Sequence, residues 1–286
     1  MALIDHSKKN CMAMQDEEVS FYIVAHADDW QLFMNPNVFL DLTNRKNKVV
    51  IIITTAGDAG MGPQYWAARE EGCKSSVRFC IAAHSYINES GGLREMNQHR
   101  INYWSLNNAT CYFFRLPDGN LDGNGFSVNA YQSLSRLKLR GTLTIDAVDH
   151  STVYNSWEDF CSTLNEVVNY ESKGSGNTWI NYLIPETNSN LFEHPDHCAT
   201  GLAVQAMDIL PGCHQALFSG YACKSADSIS STNLFWKIGM LAAYEKAVFD
   251  MSGYSTLKED IAQYEQWCFR NADFITISQQ VSKILV

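Results

Sequence analysis

The chain has 286 residues, of which 46% are hydrophobic, enough to fill the core of one large α/β domain. Its formal net charge is -10, from 31 acidic against 21 basic residues, and no Lys/Arg run stands out. These features argue against a nucleic-acid groove or a polybasic lipid anchor, and favour a small neutral or cationic partner.

The nine cysteines are odd in number and contain no Cys-x-x-Cys pair, which favours buried thiols in a reducing compartment over a disulfide framework. Residues 1–16 carry charge and lack the apolar stretch of a secretory signal, and no apolar run has the length of a membrane span. We therefore expect a cytoplasmic protein without membrane insertion. A flexible segment over 1–16 and a single domain over 17–286 are the expected organisation.

The first half of the chain alternates apolar runs with one helical pattern. The β-rich run 19–25 ends abruptly in polar residues, and the run 49–55 is followed by a glycine-rich loop. Apolar spacing predicts a helix over 64–84, and a third strand is expected over 111–115.

The second half continues the alternation. The pattern predicts helices over 129–139, 157–170, 196–209, 234–249 and 257–269, and strands over 179–184 and 215–221. Such alternation indicates an α/β, Rossmann-like, mainly parallel sheet with helices on both faces. Its site should lie beyond the carboxyl ends of the strands.

Two clusters of His and Asp follow predicted strands. His26, Asp28 and Asp29 come directly after the first strand, and His194-Pro195-Asp196-His197 opens a predicted helix. A catalytic zinc needs three N or O ligands and one open position, which one His and one Asp of the first cluster and one His of the second could supply. The remaining carboxylate could accept a proton from water, and the remaining imidazole, if protonated, could stabilise an oxyanion.

Asp196 stands between the two histidines of its cluster, so it suits a role in holding one ring and favouring its charged form. Each cluster also has an ordinary structural explanation. The first could be a solvated turn with an Asp that caps a helix, and the second a simple helix start with Pro and Asp in its first turn.

These motifs resemble the GlcNAc-phosphatidylinositol de-N-acetylase family, also called PIG-L or LmbE-like. The family pattern Ala-His-Pro-Asp-Asp-Glu stands here as residues 25–30, and His-x-Asp-His as residues 194–197. Thr54 to Gly60 is similar to the family's strand-loop, Ala68 to Glu71 to its Arg-containing helix, and Leu116 to Gly119 to its Leu-x-Asp-Gly turn.

The resemblance implies a zinc ion bound by His26, Asp29 and His197. Iron(II) could occupy the same ligands, because the ligand types do not choose between the two metals. By the same resemblance, Asp28 is the general base and later the acid, and His194 polarises the carbonyl.

Two further residues, Arg69 and Asp118, match positions that contact the sugar in relatives. Without the resemblance, Arg69 reads as an exposed helix charge and Asp118 as a turn former.

Three positions depart from the family pattern. Trp30 replaces Glu and Ala27 replaces Pro in the first motif, and Gly72 stands where relatives often carry Glu. The aromatic ring of Trp30 could stack on a sugar or could belong to the core. These departures leave the expected ligands and base intact but put the substrate in doubt.

The sequence therefore predicts a zinc-dependent deacetylase of a soluble N-acetylated amino sugar, a small-molecule substrate, with Asp28, His194 and Asp196 in catalysis and Trp30 among the substrate contacts. The alternatives are an amidase acting on a thiol conjugate or on a longer acyl group, and a sugar-binding member of the fold without turnover. The oligomeric state, including a homo-oligomer, is left open. No Gly-x-Gly-x-x-Gly or Gly-x-Ser-x-Gly motif supports a dinucleotide enzyme or a serine hydrolase.

Overall fold

The computed structural model describes residues 18–81, 87–185, 192–225 and 227–277. The expected flexible segment 1–16 and the last residues of the helix predicted over 64–84 lie outside these described residues.

Strands make up one large sheet and one small hairpin. In chain order they are β1 Glu18–Val24, β2 Asn47–Thr55, β3 Glu89–Met96, β4 His99–Leu106, β5 Ala109–Leu116, β6 Ile145–Asp146, β7 Val153–Tyr154, β8 Thr178–Leu183, β9 His214–Phe218 and β10 Phe274–Ile277. Within the described residues the large sheet has the order β10-β9-β8-β1-β2-β5-β4-β3, and β6 pairs with β7.

Helices cover both faces of the sheet. They are α1 Asp29–Phe33, α2 Asn37–Thr43, α3 Pro63–Ile81, α4 Leu134–Lys138, α5 Trp157–Glu171, α6 Pro195–Gln205, α7 Ser231–Ser252 and α8 Thr256–Cys268. One core, between the sheet and α1, α2, α3, α7 and α8, takes Tyr22 and Val24 of β1. The opposite core takes Phe21 and Ile23 of the same strand and packs against α4, α5 and α6. Successive side chains of a strand point to opposite faces, so a strand buried on both sides is continuously apolar.

The five central strands β9, β8, β1, β2 and β5 run parallel, and antiparallel strands lie at both edges. This confirms the predicted Rossmann-like α/β fold. From β1 the chain continues to β2 on one side, whereas β8 lies on the other side. The carboxyl ends of β1 and β8 therefore flank the point where the strand order reverses, which is where open α/β sheets bind ligands.

Most predicted elements are found with shifted ends, one predicted helix differs, and several short or edge elements were not predicted. The helix predicted over 129–139 is a 3-10 turn followed by the short helix α4, because Ala130 and Tyr131 take positive φ angles of 52° and 56°, which end a helix. The hairpin of β3 and β4 was not predicted. Most residues of β3 are exposed, so this edge strand lacks the apolar alternation that would reveal it.

None of the helices in the described part of the chain combines the length and the apolar character needed to cross a membrane.

Candidate metal centre and active site

Three buried side chains from two distant parts of the chain converge at the carboxyl end of β1. His26 Nδ1 lies 3.2 Å from His197 Nε2 and 3.6 Å from Asp29 Oδ1, and His197 Nε2 lies 3.1 Å from Asp29 Oδ1. His26 and Asp29 flank the start of α1, and His197 lies in the first turn of α6. The parallel pairing of β1 with β8 brings these two helix starts together.

The spacing of these atoms fits a metal ion. Bonds of about 2.0–2.2 Å in a tetrahedral arrangement separate ligand atoms by roughly 3.4 Å. Two imidazole nitrogens and a carboxylate oxygen, all buried, also form the donor set expected for zinc. His26, Asp29 and His197 could therefore hold a divalent metal.

Protein contacts fix the direction of two of these ligands. The backbone N–H of His26 donates to Asp29 Oδ2 at 2.7 Å, which leaves Oδ1 facing the two imidazoles. Glu193 Oε1 lies 2.5 Å from His197 Nδ1, so Nδ1 carries the proton and Nε2 is free to coordinate. Both oxygens of Glu193 accept backbone hydrogen bonds as well, from His194 and Tyr221. A carboxylate behind a coordinating imidazole is a usual companion of metal sites.

The charges of the cluster depend on each other. Burial lowers the pKa of His197, but the carboxylates of Asp29 and Glu193 outweigh it and raise that pKa to about 9. Burial would raise the pKa of Asp29, but the imidazoles of His197 and His26 hold it well below its usual value. The carboxylates of the cluster thus favour positive charge beside them.

Asp28 lines a cavity together with His26 and Asp29, and both of its carboxylate oxygens accept hydrogen bonds. Arg69 donates to its Oδ1 at 2.7 Å, and the hydroxyl of Tyr264 donates to its Oδ2 at 2.5 Å. Burial and the neighbouring Asp28 raise the pKa of Tyr264 well above its usual value, so the phenol keeps its proton. Asp28 stands at the N-cap of α1, but its side chain makes no capping hydrogen bond, so the simple helix-cap explanation does not hold.

The surroundings of His194 favour its neutral imidazole over the protonated form that the sequence left as a condition. Burial, with the nearby His26, lowers the pKa of His194 to about 4. Its Nδ1 accepts the backbone N–H of Asp196 at 3.2 Å, which caps α6. The ring proton of the neutral form therefore lies on Nε2, where it can donate to a ligand. The neighbouring Pro195 occupies the first turn of α6 as expected.

Asp196 lies closer to the ring of His26 than to that of His194, its neighbour in the second cluster. Its Oδ2 is 3.4 Å from His26 Nε2 and 3.9 Å from His194 Nδ1, and it accepts the backbone N–H of Gly119 at 2.8 Å. His26 Nε2 and Asp196 Oδ1 are both buried without a hydrogen-bond partner. Asp196 is therefore placed to position the His26 ring, and although its charge favours a protonated His194, burial and His26 outweigh it, so we describe Asp196 as a positioning residue.

The two expected sugar contacts both line the cavity. Asp118 Oδ2 lies 4.0 Å from His26 Nε2, while its Oδ1 accepts the backbone N–H of Asn120. Arg69 is buried, and three of its donors are engaged by Asp28, the Tyr244 hydroxyl and the Gly57 carbonyl. Arg69 is therefore a buried structural residue of the site and not an exposed helix charge.

Two of the departures from the family pattern have a structural explanation. Trp30 is completely buried in the core and does not line the cavity, so the expectation that its ring contacts substrate is wrong. The other explanation given for Trp30, that its ring belongs to the core, agrees with the structure. A Cβ at Gly72 would lie 2.6 Å from the Tyr244 ring, so the absent side chain makes room for the tyrosine that binds Arg69.

A cavity of about 300 Å³ joins the metal centre to the surface. One of its walls comes from the chain after β9 and includes Tyr221, Tyr264 and Trp267. Sequence reasoning found no chemical role for the stretch after residue 225, because these aromatic residues carry no local motif. Glu193 was also missed, although its position four residues before His197 on a helix start could have revealed it.

A match to a known protein family assigns the class of this fold and site, which is that of a hydrolase of the de-N-acetylase type. The sequence model of the PIG-L family, described as GlcNAc-PI de-N-acetylase, matches residues 21–207, and the chain belongs to this family. The match covers β1 to α6 and therefore includes every proposed metal ligand. A search of curated proteins found no match to the chain.

Proposed function

We propose that this protein is a zinc-dependent hydrolase that removes the acetyl group from an N-acetylated amino sugar. The observation that carries the proposal is the convergence of His26, Asp29 and His197, beside Asp28 and His194 in one cavity. These three residues would hold the ion. When bound, zinc supplies a Lewis acid that activates water for attack on an amide.

Asp28 would accept the proton of the attacking water. Each of its carboxylate oxygens has a second lone pair beyond the hydrogen bond from Arg69 or Tyr264, so the group can still accept a proton. The two donors fix the direction of the carboxylate. Asp28 would then return the proton to the nitrogen of the departing amine, which leaves as a neutral amino sugar, while the acyl carbon becomes the carboxyl group of acetic acid, which loses its remaining proton to solvent to give acetate.

His194 would stabilise the charge that develops on the carbonyl oxygen. Its Nδ1 is occupied by the backbone of α6, so its Nε2–H is the donor available to the substrate. A neutral imidazole has already been assigned such an electrophilic role in other enzymes. Because the backbone bond fixes the ring, the donor requires little reorganisation during the reaction.

The polar side of the cavity supports a hydroxyl-bearing substrate. Asp118 presents a carboxylate oxygen beside the metal centre, and a carboxylate at that position would accept hydrogen bonds from sugar hydroxyls.

The first experiment measures metal content by elemental analysis on protein purified without chelators, followed by acetate release from a panel of N-acetylglucosamine derivatives. We expect about one zinc per chain and acetate from at least one derivative. Asp28→Asn should keep the metal and lose most of the turnover. Absence of metal after reconstitution, or full activity in a metal-loaded Asp28→Asn variant, would overturn the proposal.

A further inference from the structure

Three aromatic side chains form a compact group on one side of the metal centre. The rings of Tyr221 and Trp267 stack at 4.7 Å, and Phe33 meets Trp267 edge-on at 5.4 Å. We call Phe33, Tyr221 and Trp267 the aromatic pocket. Its members approach His197, with ring centroids 5.9 Å away for Phe33 and 5.2 Å away for Tyr221. All three also line the cavity.

Two rings of the aromatic pocket line a buried part of the cavity. Phe33 is 1% exposed and Trp267 is 6% exposed, and the buried Leu32, next to Phe33 in sequence, also lines the cavity. Leu121 lines the cavity as well but is 79% exposed, so it marks a part that is open to solvent. Asp118 stands on the same loop as Leu121, which places a polar group near this open part.

The difference between the buried aromatic part and the polar, exposed part of the cavity suggests how the amide of a substrate is oriented. An amino sugar carries hydroxyl groups and often a larger attached group, which require polar partners and access to solvent. The acyl group is apolar at its end and requires neither. With the carbonyl directed at His194, the sugar therefore occupies the side of Asp118 and the acyl group points towards the rings.

We propose that Phe33, Tyr221 and Trp267 form the acyl subsite and restrict the enzyme to short acyl groups such as acetyl. This inference rests on the proposed function and deepens it. A longer chain would have to displace the nearly buried rings of Phe33 and Trp267, and a methylene that does not fit such a pocket changes kcat/KM by roughly 10- to 200-fold. Tyr221 and Trp267 both lie beyond residue 207, where the family match ends.

The experiment compares release of the acid from N-acetyl, N-butyryl and N-hexanoyl glucosamine by the zinc-loaded protein. We expect kcat/KM for the hexanoyl substrate to be at least about 100-fold below that for the acetyl substrate. Trp267→Leu and Phe33→Leu each replace an aromatic ring of the pocket by a smaller side chain. Each should raise the hexanoyl-to-acetyl ratio of kcat/KM about tenfold or more. Two variants are used because either alone could lose stability.

Tyr65→Leu provides the matched control. Tyr65 is an aromatic residue of the same cavity, but it contacts Arg69 and packs edge-on against Tyr254, which is not a member of the aromatic pocket. A lower rate in Tyr65→Leu is compatible with the proposal, but its hexanoyl-to-acetyl ratio of kcat/KM should equal that of wild type. An unchanged ratio in folded Trp267→Leu and Phe33→Leu, or an equal increase in Tyr65→Leu, would overturn the acyl subsite.

Binding of acetate, butyrate and hexanoate to the zinc-loaded protein, measured by calorimetry, gives a second readout without turnover. We expect wild type to bind acetate more tightly than hexanoate, and Trp267→Leu to reduce or reverse that order. If no substrate of any length is cleaved, the proposed function fails, and the carboxylate series still decides whether the pocket selects by length. Equal affinity for all three carboxylates in wild type would reject it.

Discussion

Tyr264, near the end of α8, donates its hydroxyl hydrogen to Asp28 at the start of α1, with an oxygen-to-oxygen distance of 2.5 Å. The two residues are 236 positions apart in sequence. Together with Arg69, Tyr264 fixes the direction of the proposed base. The last long helix of the described chain is therefore part of the reaction site.

Removal of the Tyr264 hydroxyl should slow the reaction without weakening substrate binding. Tyr264→Phe retains the ring but removes the donor, so we expect kcat to fall about tenfold, equivalent to about 1.4 kcal/mol, with KM within about twofold of wild type. Steady-state kinetics with the verified substrate measure both constants. Tyr170→Phe, at a 43% exposed residue on α5, is the control and should behave as wild type. Equal kcat for wild type and Tyr264→Phe would refute the role of the hydroxyl.

Glu193 should tune metal affinity through His197. Glu193→Gln removes the negative charge behind Nδ1, and loss of such a partner typically lowers metal affinity about 10- to 100-fold. Competition with a chromophoric chelator measures the affinity. The matched control is Glu166→Gln, at an exposed position of α5, which should retain wild-type affinity. If both variants bind zinc equally well, Glu193 does not support the ligand.

His194→Asn separates the helix cap from the catalytic role. Asparagine is among the preferred N-cap residues, so α6 should keep its first turn, and the thermal midpoint should change by no more than a few degrees. The Nε2–H donor is lost, and we expect kcat to fall about 100- to 1,000-fold with unchanged zinc content. A variant with wild-type kcat would contradict the assignment, whereas loss of zinc would show that His194 belongs to the metal ligands.

Trp30 should affect stability and not substrate binding. Its ring is fully buried, so Trp30→Phe leaves unfilled volume in the core, and we expect the free energy of unfolding to fall by roughly 1–3 kcal/mol. Urea denaturation measures this change, and the KM of the folded variant should stay within about twofold of wild type. A large rise in KM with unchanged stability would instead support a contact between Trp30 and the sugar.

Lys237 links the stability of the C-terminal helices to pH. It is completely buried, and its Nζ donates to the carbonyls of Trp267 and Arg270 at the end of α8. Burial lowers the pKa of Lys237 from 10.5 to about 8. Between these values the unfolded chain binds more protons than the folded one, so this residue makes the free energy of unfolding rise with pH.

The corresponding test compares wild type with Lys237→Met in urea denaturation at pH 7.5 and 10. The stability difference, wild type minus variant, should increase in favour of wild type at the higher pH. Lys246→Met, whose side chain is 76% exposed, should show no such increase. A pH-independent difference for Lys237→Met would mean that its pKa in the folded protein is not depressed.

The layers of the fold could be predicted because β1, β2 and β8 are buried on both faces. Strands of this kind are continuously apolar and can therefore be recognised in the sequence. The sequence also singled out the side chains that meet at the metal centre, since polar residues at the ends of parallel strands share one edge of the sheet. Tyr264 and Tyr244 could not be found in this way. Their roles depend on how α7 and α8 pack, and a tyrosine on an amphipathic helix is an ordinary core residue until its partner is known.

The charge state of His194 could not be predicted from the sequence either. Its low pKa arises from burial and from a second histidine 168 positions away in the chain, and neither is visible in the motif His-Pro-Asp-His. Trp30 shows the converse limit. A substitution inside a functional motif suggested a functional change, yet the side chain at that position points into the core.

The residues that would hold the metal and those that shape the cavity belong to different stretches of the chain. His26, Asp29 and His197 lie within the family match of residues 21–207, whereas Tyr221, Tyr264 and Trp267 follow it. Helix α8 therefore contributes a wall of the cavity but none of the three proposed metal ligands. A substitution in α8 would change which ligands the cavity admits and, at Tyr264, the direction of Asp28, while the set of metal-binding side chains stays the same.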